Sequence, residues 1–284
     1  MKSKAKQKKY YLAFILPSFL VLLFAYFIPF ISGMNIMLTD WDGISSSYNY
    51  IGLDNFAKLF TDKSILRPIR ITLTYGLIYT LLNNLFALTI AVFLDKFVIG
   101  KRFIKTVFFI PMVLSAVLSS FIWGYIYKDV FSELFGIKSL LGNPKTALLG
   151  VIIIALWNSV GSNLIIYIAG LTNISKIYYE AANIDGASGW QQFRYITLPL
   201  LVPTFSICIT ITLTTSLREF ATMLAATGGG PAGSTETLAI YIYNNLFSFN
   251  RAGYGQAIAF VFMLILVTIA FLLTRFFRSR EVEA

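Results

Sequence analysis

The sequence predicts an all-α polytopic membrane protein with six transmembrane helices. Of its 284 residues, 57% are hydrophobic and 13% are charged, whereas a soluble domain usually carries about 25% charged residues. Several charge-free stretches exceed the roughly 20 residues that a helix needs to cross a bilayer. The basic residues cluster at the ends of these stretches, so the net charge of +10 indicates membrane topology and contact with lipid, and no nucleic-acid partner.

Each charge-free stretch is expected to be helical, because lipid offers no water to satisfy the backbone. The first is too long for the apolar region of a signal peptide, and we expect it to be a retained helix. A further stretch, 237–250, is too short to span and predicts an interfacial or re-entrant helix. The six predicted spans are 11–39, 71–94, 106–127, 146–175, 195–217 and 252–274.

The distribution of lysine and arginine predicts the orientation. More of these residues flank the spans at the N-terminus, near 96–105 and 176–194, and at the C-terminus than at the opposite ends. We expect the richer side to be cytoplasmic, which places both termini inside the cell and the chain in the plasma or inner membrane. Residues 1–70 should comprise a basic tail, the first helix and an external loop, and residues 71–284 a five-helix core with a cytoplasmic loop at about 174–199.

The residue types that are absent exclude several chemistries. There is no histidine and only one cysteine, Cys208, so His-based acid–base catalysis, His-ligated metals and internal disulfides are excluded. No G-x-x-x-x-G-K-[ST] run occurs, so ATP should not bind this chain through a phosphate-binding loop. We therefore expect no catalytic residue, metal site or cofactor in this chain.

The predicted cytoplasmic loop contains a short run of small and acidic residues between two spans. The helix-forming residues before Gly186 and the glycine itself predict a short helix that ends in a turn. Such a helix fits a groove on a partner protein, although an ordinary interfacial loop explains the composition equally well. The residues concerned are Glu180, Ala181, Ala182, Asp185, Gly186 and Ala187.

This loop resembles the EAA signature of ATP-binding-cassette (ABC) importer permeases. The match consists of the Glu-Ala-Ala and Asp-Gly-Ala triplets of 180–187, then Phe193, the Ile-Thr-Leu-Pro run of 196–199 and Pro203. The resemblance implies a type I ABC importer permease fold with alternating access. It also implies that the loop couples to a separate ATPase dimer, which binds ATP and Mg and does the hydrolysis.

A second segment resembles carbohydrate-uptake permeases related to the maltose and glycerol-phosphate systems. It runs through 227–231, 234–238 and 241–243, whereas Ala221 stands where many relatives have Asp. Its glycines and proline should end the fifth helix, with Ser234 or Thr235 capping the next one. The resemblance implies sugar (oligosaccharide) import, a second homologous permease subunit as heterodimer partner and an extracytoplasmic sugar-binding protein.

Candidate substrate contacts lie in the fourth and fifth spans. Thr212, Ser216 and Glu219 are spaced i, i+4 and i+7, which predicts one stripe of a helix suited to sugar hydroxyls. In maltose-type relatives the same helix lines the sugar site. Asn158 and Asn163 are further candidates, and their alternative role is hydrogen bonding between membrane helices.

Two alternatives remain open at this point. The same machine could carry another solute, such as a glycerol phosphodiester, because Arg218 would suit an anion. An ion-coupled secondary transporter would require intramembrane carboxylate relays and inverted repeats. We expect one intramembrane carboxylate, Glu219, just beyond the fifth charge-free stretch, and the sequence has no clear repeat, which disfavours that class.

Overall fold

The computed structural model describes residues 11, 14–96, 100–136 and 139–279. The predicted basic tail before residue 11 lies outside the described residues. Within them the chain is mostly helical, and the β-structure is one antiparallel bridge between Thr39 and Tyr50. The all-α class predicted from the sequence is confirmed.

Twelve helical segments organise the described part of the chain. Three of them contain a π-helical turn, at Leu23–Phe27, Ile126–Val130 and Phe193–Thr197. In chain order they are α1 Phe14–Ile36, α2 Asp54–Thr61, α3 Leu66–Lys96, α4 Lys101–Val113, α5 Ala116–Leu134, α6 Ala147–Asn173, α7 Lys176–Ile184, α8 Gly189–Leu200, α9 Val202–Leu217, α10 Ala221–Thr227, α11 Leu238–Tyr243 and α12 Ala252–Arg278. A fourth π-helical turn, Asn244–Ser248, directly follows α11.

Four helices in the described residues are long and apolar enough to cross a membrane by themselves, and two bent pairs bring the number to six. The single helices are α1, α3, α6 and α12. The third predicted span is not one straight helix, because α4 and α5 meet at an angle of 103°. The fifth is also bent, by 66°, between α8 and α9. Pro111 lies near the first bend, and Pro199 and Pro203 lie near the second. These residues explain the breaks, because proline removes a backbone donor and clashes with the preceding turn.

The described residues form two compact units. One contains the chain up to Lys63 together with Ile242–Phe262, and the other contains Ser64–Tyr241 with the residues from Met263 onward. The first unit therefore includes part of the chain that the predicted division at residue 70 assigns to the core. The division into 1–70 and 71–284 stays a prediction.

In the first unit, the loop after α1 is held by hydrogen bonds. Asn55 of α2 donates from Nδ2 to the carbonyl oxygens of Met37 (2.9 Å) and Thr39 (2.8 Å). The Asp42 carboxylate accepts hydrogen bonds from the side chain and N–H of Ser45 and from the N–H of Ile44. These bonds favour the ionised form and lower the pKa of Asp42 to about 2.

The second unit is built around the packing of α3, α6 and α9. Its core includes the fully buried side chains of Tyr75, Leu164 and Tyr167. Small residues allow the helices of this unit to approach closely. A Cβ added to Gly170 of α6 would collide with the side chain of Thr204 in α9, which is the close contact that small residues permit between membrane helices.

Gly161 of α6 makes the tightest approach to α4, because a Cβ there would collide with the backbone oxygen of Phe108. We expect Gly161→Ala to destabilise the folded protein by about 1–3 kcal/mol, since the obstacle is backbone and cannot rotate away. Thermal unfolding of the detergent-purified chain measures the effect. Gly124→Ala in α5 is the matched control, because a Cβ there meets nothing within 4 Å. Equal melting temperatures for the two variants would contradict the close α4–α6 contact.

Candidate functional site

The predicted coupling loop folds into a short helix that ends in a glycine-dependent turn. Helix α7 begins after Ser175, whose side chain makes no capping hydrogen bond. At its other end, the N–H of Ala187 donates to the carbonyl of Ala182 (2.9 Å) and the N–H of Gly186 to that of Asn183 (3.1 Å). This pair of bonds is a Schellman motif, which requires a left-handed residue, and Gly186 has φ +72°.

Helix α8 is held against α7 by hydrogen bonds from side chains of the loop. Ser188 and Gln191 form a reciprocal capping box, in which each side chain accepts the other residue's N–H. Gln192 then donates from Nε2 to Oδ1 of Asn183 (2.6 Å) and to the carbonyl of Ala187 (3.1 Å). The loop therefore holds its conformation through its own hydrogen bonds.

The outer surface of this loop combines apolar and acidic groups. Ile184 is 88% exposed and Trp190 is 70% exposed. Large apolar side chains at this degree of exposure are typical of a surface that binds another protein. The residues predicted to dock lie on or beside this surface, where Glu180, Ala181, Asp185 and Gly186 are exposed and Ala182 and Ala187 are half-buried.

Asn163 lies within a buried hydrogen-bond network between α3, α6 and α9. Its Nδ2 donates to Oγ1 of Thr212 (2.7 Å) and to Oδ1 of Asn83 (2.8 Å), and its side chain is 4% exposed. One turn further along α6, Tyr167 donates to Oδ1 of Asn84 (2.7 Å). These polar groups are satisfied inside the protein, as a membrane environment requires.

The network also contains two residues that sequence reasoning missed. The side-chain amide of Asn83 donates to Tyr79 Oη (3.3 Å) and to Ser159 Oγ (3.1 Å). The hydroxyls of Tyr79 and Ser159 also form a hydrogen bond with each other. Tyr79 lies four residues before Asn83, and Ser159 lies four residues before Asn163. Residues four apart share a helix face, so the spacing to Asn83 and Asn163 could have identified Tyr79 and Ser159 from the sequence.

Thr212 and Ser216 are both buried and bonded within the protein. Thr212 donates to the carbonyl of Cys208 (2.6 Å) while accepting from Asn163. Ser216 donates to the carbonyl of Leu213 (2.9 Å), and its Oγ lies 3.3 Å from Oγ1 of Thr80 in α3. The structure thus brings Thr212 and Asn163 together, and it places Ser216 against the neighbouring helix.

The predicted helical stripe is wrong at Glu219. Helix α9 ends at Leu217, so Glu219 lies in the short segment before α10 and does not continue the spacing of Thr212 and Ser216. Hydroxyl side chains in the last turns of α9 bond back to its own carbonyls, which weakens and bends a helix. The half-buried Glu219 carboxylate accepts the N–H of Thr222 (2.8 Å) and stabilises the start of α10.

The glycine-rich segment 227–231 does not end the fifth span, as was expected from the sequence. The fifth span ends at Leu217, and Gly228, with φ +61°, terminates α10. The following helix, α11, is capped by Thr237, whose Oγ1 accepts the N–H of Ile240 (3.4 Å). Thr235 donates to the carbonyl of Gly230 and holds the turn itself, so the expected capping by Ser234 or Thr235 is wrong.

Asn158 of α6 supports the bend between α4 and α5. Its Nδ2 lies within hydrogen-bond distance of the carbonyl oxygens of Pro111 (2.8 Å) and Leu114 (3.1 Å) and of Ser119 Oγ (2.9 Å). The carbonyls at the bend have lost regular helical partners, and Asn158 satisfies them. In this conformation Asn158 therefore has the interhelical role that was the alternative to a substrate contact.

The fold and these sites belong to a membrane transport subunit. A model of the family described as the binding-protein-dependent transport system inner membrane component matches residues 83–282. The match covers more than half of the chain, which therefore belongs to this family and is a transport subunit, not an enzyme. It is a multi-pass permease of an ABC importer.

Curated relatives align along nearly the full chain. A probable starch degradation products transport system permease of Thermoanaerobacterium thermosulfurigenes is 32% identical, with 100% of both chains covered. A multiple sugar-binding transport system permease of Streptococcus mutans is 32% identical over 94% of each chain. An sn-glycerol-3-phosphate transport system permease of Agrobacterium fabrum is 31% identical over 84% of each.

Solved structures share the fold. A chain of a bacterial ABC transporter involved in the import of the acidic polysaccharide alginate superposes with a TM-score of 0.84, at 21% identity and 98% coverage of both chains. A chain of the alginate transporter in complex with an alginate pentasaccharide-bound periplasmic protein gives a TM-score of 0.85, at 21% identity, covering 100% of this chain and 99% of that one.

We expect Asn163→Leu to lower stability, because Thr212 and Asn83 each lose a buried partner. Hydrogen bonds between membrane helices contribute about 0.6–1.7 kcal/mol each, so a loss of about 1–3 kcal/mol is expected. Thermal unfolding in detergent measures it. Ser162→Ala is the control, because that hydroxyl is exposed and bonds to a carbonyl of its own helix. Unchanged stability combined with weaker substrate uptake would contradict the structural role.

Proposed function

We propose that this chain is the permease subunit of an ATP-driven sugar importer whose substrates include oligosaccharides. The observation that carries the proposal is the full-length similarity to permeases named for starch degradation products and for multiple sugars. The chain provides one part of the membrane passage, and the passage opens alternately to the two sides.

The energy for this cycle enters through the coupling loop at about 174–199. A separate ATPase dimer binds ATP and Mg and docks on the exposed residues around Glu180 and Gly186. The apolar side chains of Ile184 and Trp190, 88% and 70% exposed, supply the contact area that such docking needs. Both termini and this loop lie in the cytoplasm, as the lysine and arginine distribution favours.

Two further partners complete the transporter. A second, homologous permease forms a heterodimer with this chain, and an extracytoplasmic binding protein delivers the sugar. The structurally similar alginate transporter was solved in complex with a periplasmic protein that carries an alginate pentasaccharide, which supports a binding protein here. The chain itself spans the cell membrane and contacts lipid through its exposed apolar helices.

The substrate contacts that we propose are Thr212, Ser216, Glu219, Asn163 and Asn158. Thr212, Ser216 and Asn163 are buried in this conformation. Sugar access to them therefore requires α9 to separate from α6 and α3 during the transport cycle. Glu219, beyond the end of α9, and Asn158 are half-buried, so these two groups are more accessible than the other three.

A second candidate substrate is a glycerol phosphate compound. A relative at 31% identity is named for sn-glycerol-3-phosphate transport, and the exposed Arg218 next to Glu219 would attract an anion. Competition between maltooligosaccharides and glycerol phosphate for uptake distinguishes the two candidates.

Co-purification of the chain from its native membrane in mild detergent, followed by reconstitution, tests the proposal. We expect an ATPase, a second permease and a binding protein to be recovered, and we expect uptake of radiolabelled oligosaccharide to require ATP. Recovery of the chain alone, with transport that needs an ion gradient and no ATP, would instead establish a secondary transporter.

We expect Gly186→Val to weaken coupling, because its left-handed backbone strains any β-branched side chain and the Schellman turn would be lost. ATPase recovered with the permease, and ATP-dependent uptake, should each fall by about 5- to 30-fold, which corresponds to the 1–2 kcal/mol of this strain. Gly136→Val is the matched control, since it has φ +64° and open space but lies in another loop. Equal losses in both variants would show general misfolding and contradict the specific role.

A further inference from the structure

A small polar cavity in the second unit lies between the C-terminal ends of α3 and α6 and the N-terminal end of α4. Its volume is about 110 Å³, and its lining includes Lys101, Lys105, Asp95 and Thr172. Lys101 and Lys105 are one helical turn apart, so they share a face of α4. Both lysines are half-buried instead of extending freely into water.

The charges in this cavity are not balanced within the protein. Lys101 donates from Nζ to the backbone carbonyl of Asp95 (3.2 Å). Within the described residues, no hydrogen bond or ion pair is found for Lys105. Two ammonium groups beside one exposed carboxylate leave a net positive charge, whereas the Thr172 hydroxyl donates to the carbonyl of Ile168 (2.7 Å) and adds no free donor. Phosphate is the anion that such a set of donors suits.

A larger apolar cavity lies deeper between the same three helices. Its volume is about 500 Å³, and its walls include Phe86 and Ile90 of α3, Val107 of α4 and Val160 of α6. Phe86 and Val107 are each 47% exposed, so the cavity opens to the outside of the chain at the level of the membrane-spanning segments. The cavity suits an apolar occupant, because its walls offer almost no polar partner.

The two cavities are neighbours along α3, α4 and α6. On α3, Ile90 lines the apolar cavity and Leu94 the polar one, and on α4, Lys105 lines the polar cavity and Phe108 the apolar one. Residues three or four apart share a helix face, so both cavities lie on one face of each of these two helices. On α6, Ile168 and Val160 are separated by eight residues, which is about 12 Å of helix. A charged site at the end of the span thus continues into a hydrocarbon-like site within it.

We propose that α3, α4 and α6 bind one anionic phospholipid, with its phosphate between Lys101 and Lys105 and an acyl chain in the apolar cavity. Only a molecule with both parts occupies both cavities at once. In the orientation proposed above, the lipid belongs to the cytoplasmic leaflet, whose anionic lipids attract such basic sites. The inference does not depend on which solute the chain transports.

The acyl chain would fill the space beside the bend between α4 and α5. Pro111 at the bend and Trp123 of α5 both line the apolar cavity. Trp123 packs edge-on against Trp157 of α6, with ring centroids 5.9 Å apart. A bound lipid would therefore support the bent pair from the membrane side, while Asn158 supports it from the protein side.

Native mass spectrometry of the detergent-purified chain with added phosphatidylglycerol tests the proposal. We expect one retained lipid on the wild-type chain. Lys101→Ala with Lys105→Ala should reduce its affinity about 25-fold, since each basic side chain near an anionic headgroup contributes about 1 kcal/mol, or roughly fivefold. Arg102→Ala is the matched control, because Arg102 is exposed and lies outside the cavity lining. Equal losses in the double variant and the control would overturn the site.

Two partial ligands separate the contributions of head and tail. Diacylglycerol with the same chains lacks the phosphate, and glycerol phosphate lacks the chains, so we expect neither to be retained at the concentration that saturates phosphatidylglycerol. Val107→Trp, which fills the cavity, should lower lipid occupancy without changing the melting temperature of lipid-free protein. Retention of glycerol phosphate alone would show a small-anion site and overturn the lipid.

A photo-crosslinking residue at Val107 identifies the occupant in the native membrane. Cross-links to phospholipid support the proposal. Cross-links to a polypeptide would show that a partner helix covers this face, and they would overturn it.

Discussion

The packing of α3, α6 and α9 depends on hydrogen bonds that cannot be exchanged for bonds to water. In a bilayer a polar side chain finds its partner inside the protein or loses it. Asn163 meets this constraint by bonding to both neighbouring helices, to Asn83 and to Thr212. Close packing at Gly170, where no side chain larger than hydrogen fits against Thr204, allows the helices to come near enough for such bonds to form.

The same constraint explains the irregular parts of the chain. The bend between α4 and α5 exposes carbonyl oxygens at Pro111 and Leu114, and Asn158 from another helix satisfies them. The interruption after α9 exposes N–H groups at the start of α10, and Glu219 accepts one of them. Both of these departures from a straight helix are therefore paired with a polar side chain that forms a hydrogen bond with the freed backbone group.

The sequence was sufficient to predict six candidate spans and the short helix and turn at Gly186, because both depend on local properties. Runs of apolar residues predict helices wherever they occur, and Gly186 predicts a turn through its own backbone freedom. The bend at Pro111 was not predicted, because its stability depends on Asn158, which is 47 residues away. Glu219 was misplaced because helical spacing was extended past Leu217, where the hydroxyl-rich end of α9 stops the helix.

The bonds of Gln192 to Asn183 and Ala187, together with the capping box and the Schellman turn, mean that the coupling loop is preorganised. A partner that docks on it does not have to order a flexible segment, so little conformational entropy opposes association. A folded loop is also stiff. In the coupling role that we propose for this loop, displacement of its exposed surface would be passed to the ends of α6 and α9 on either side instead of being absorbed by rearrangement of the loop.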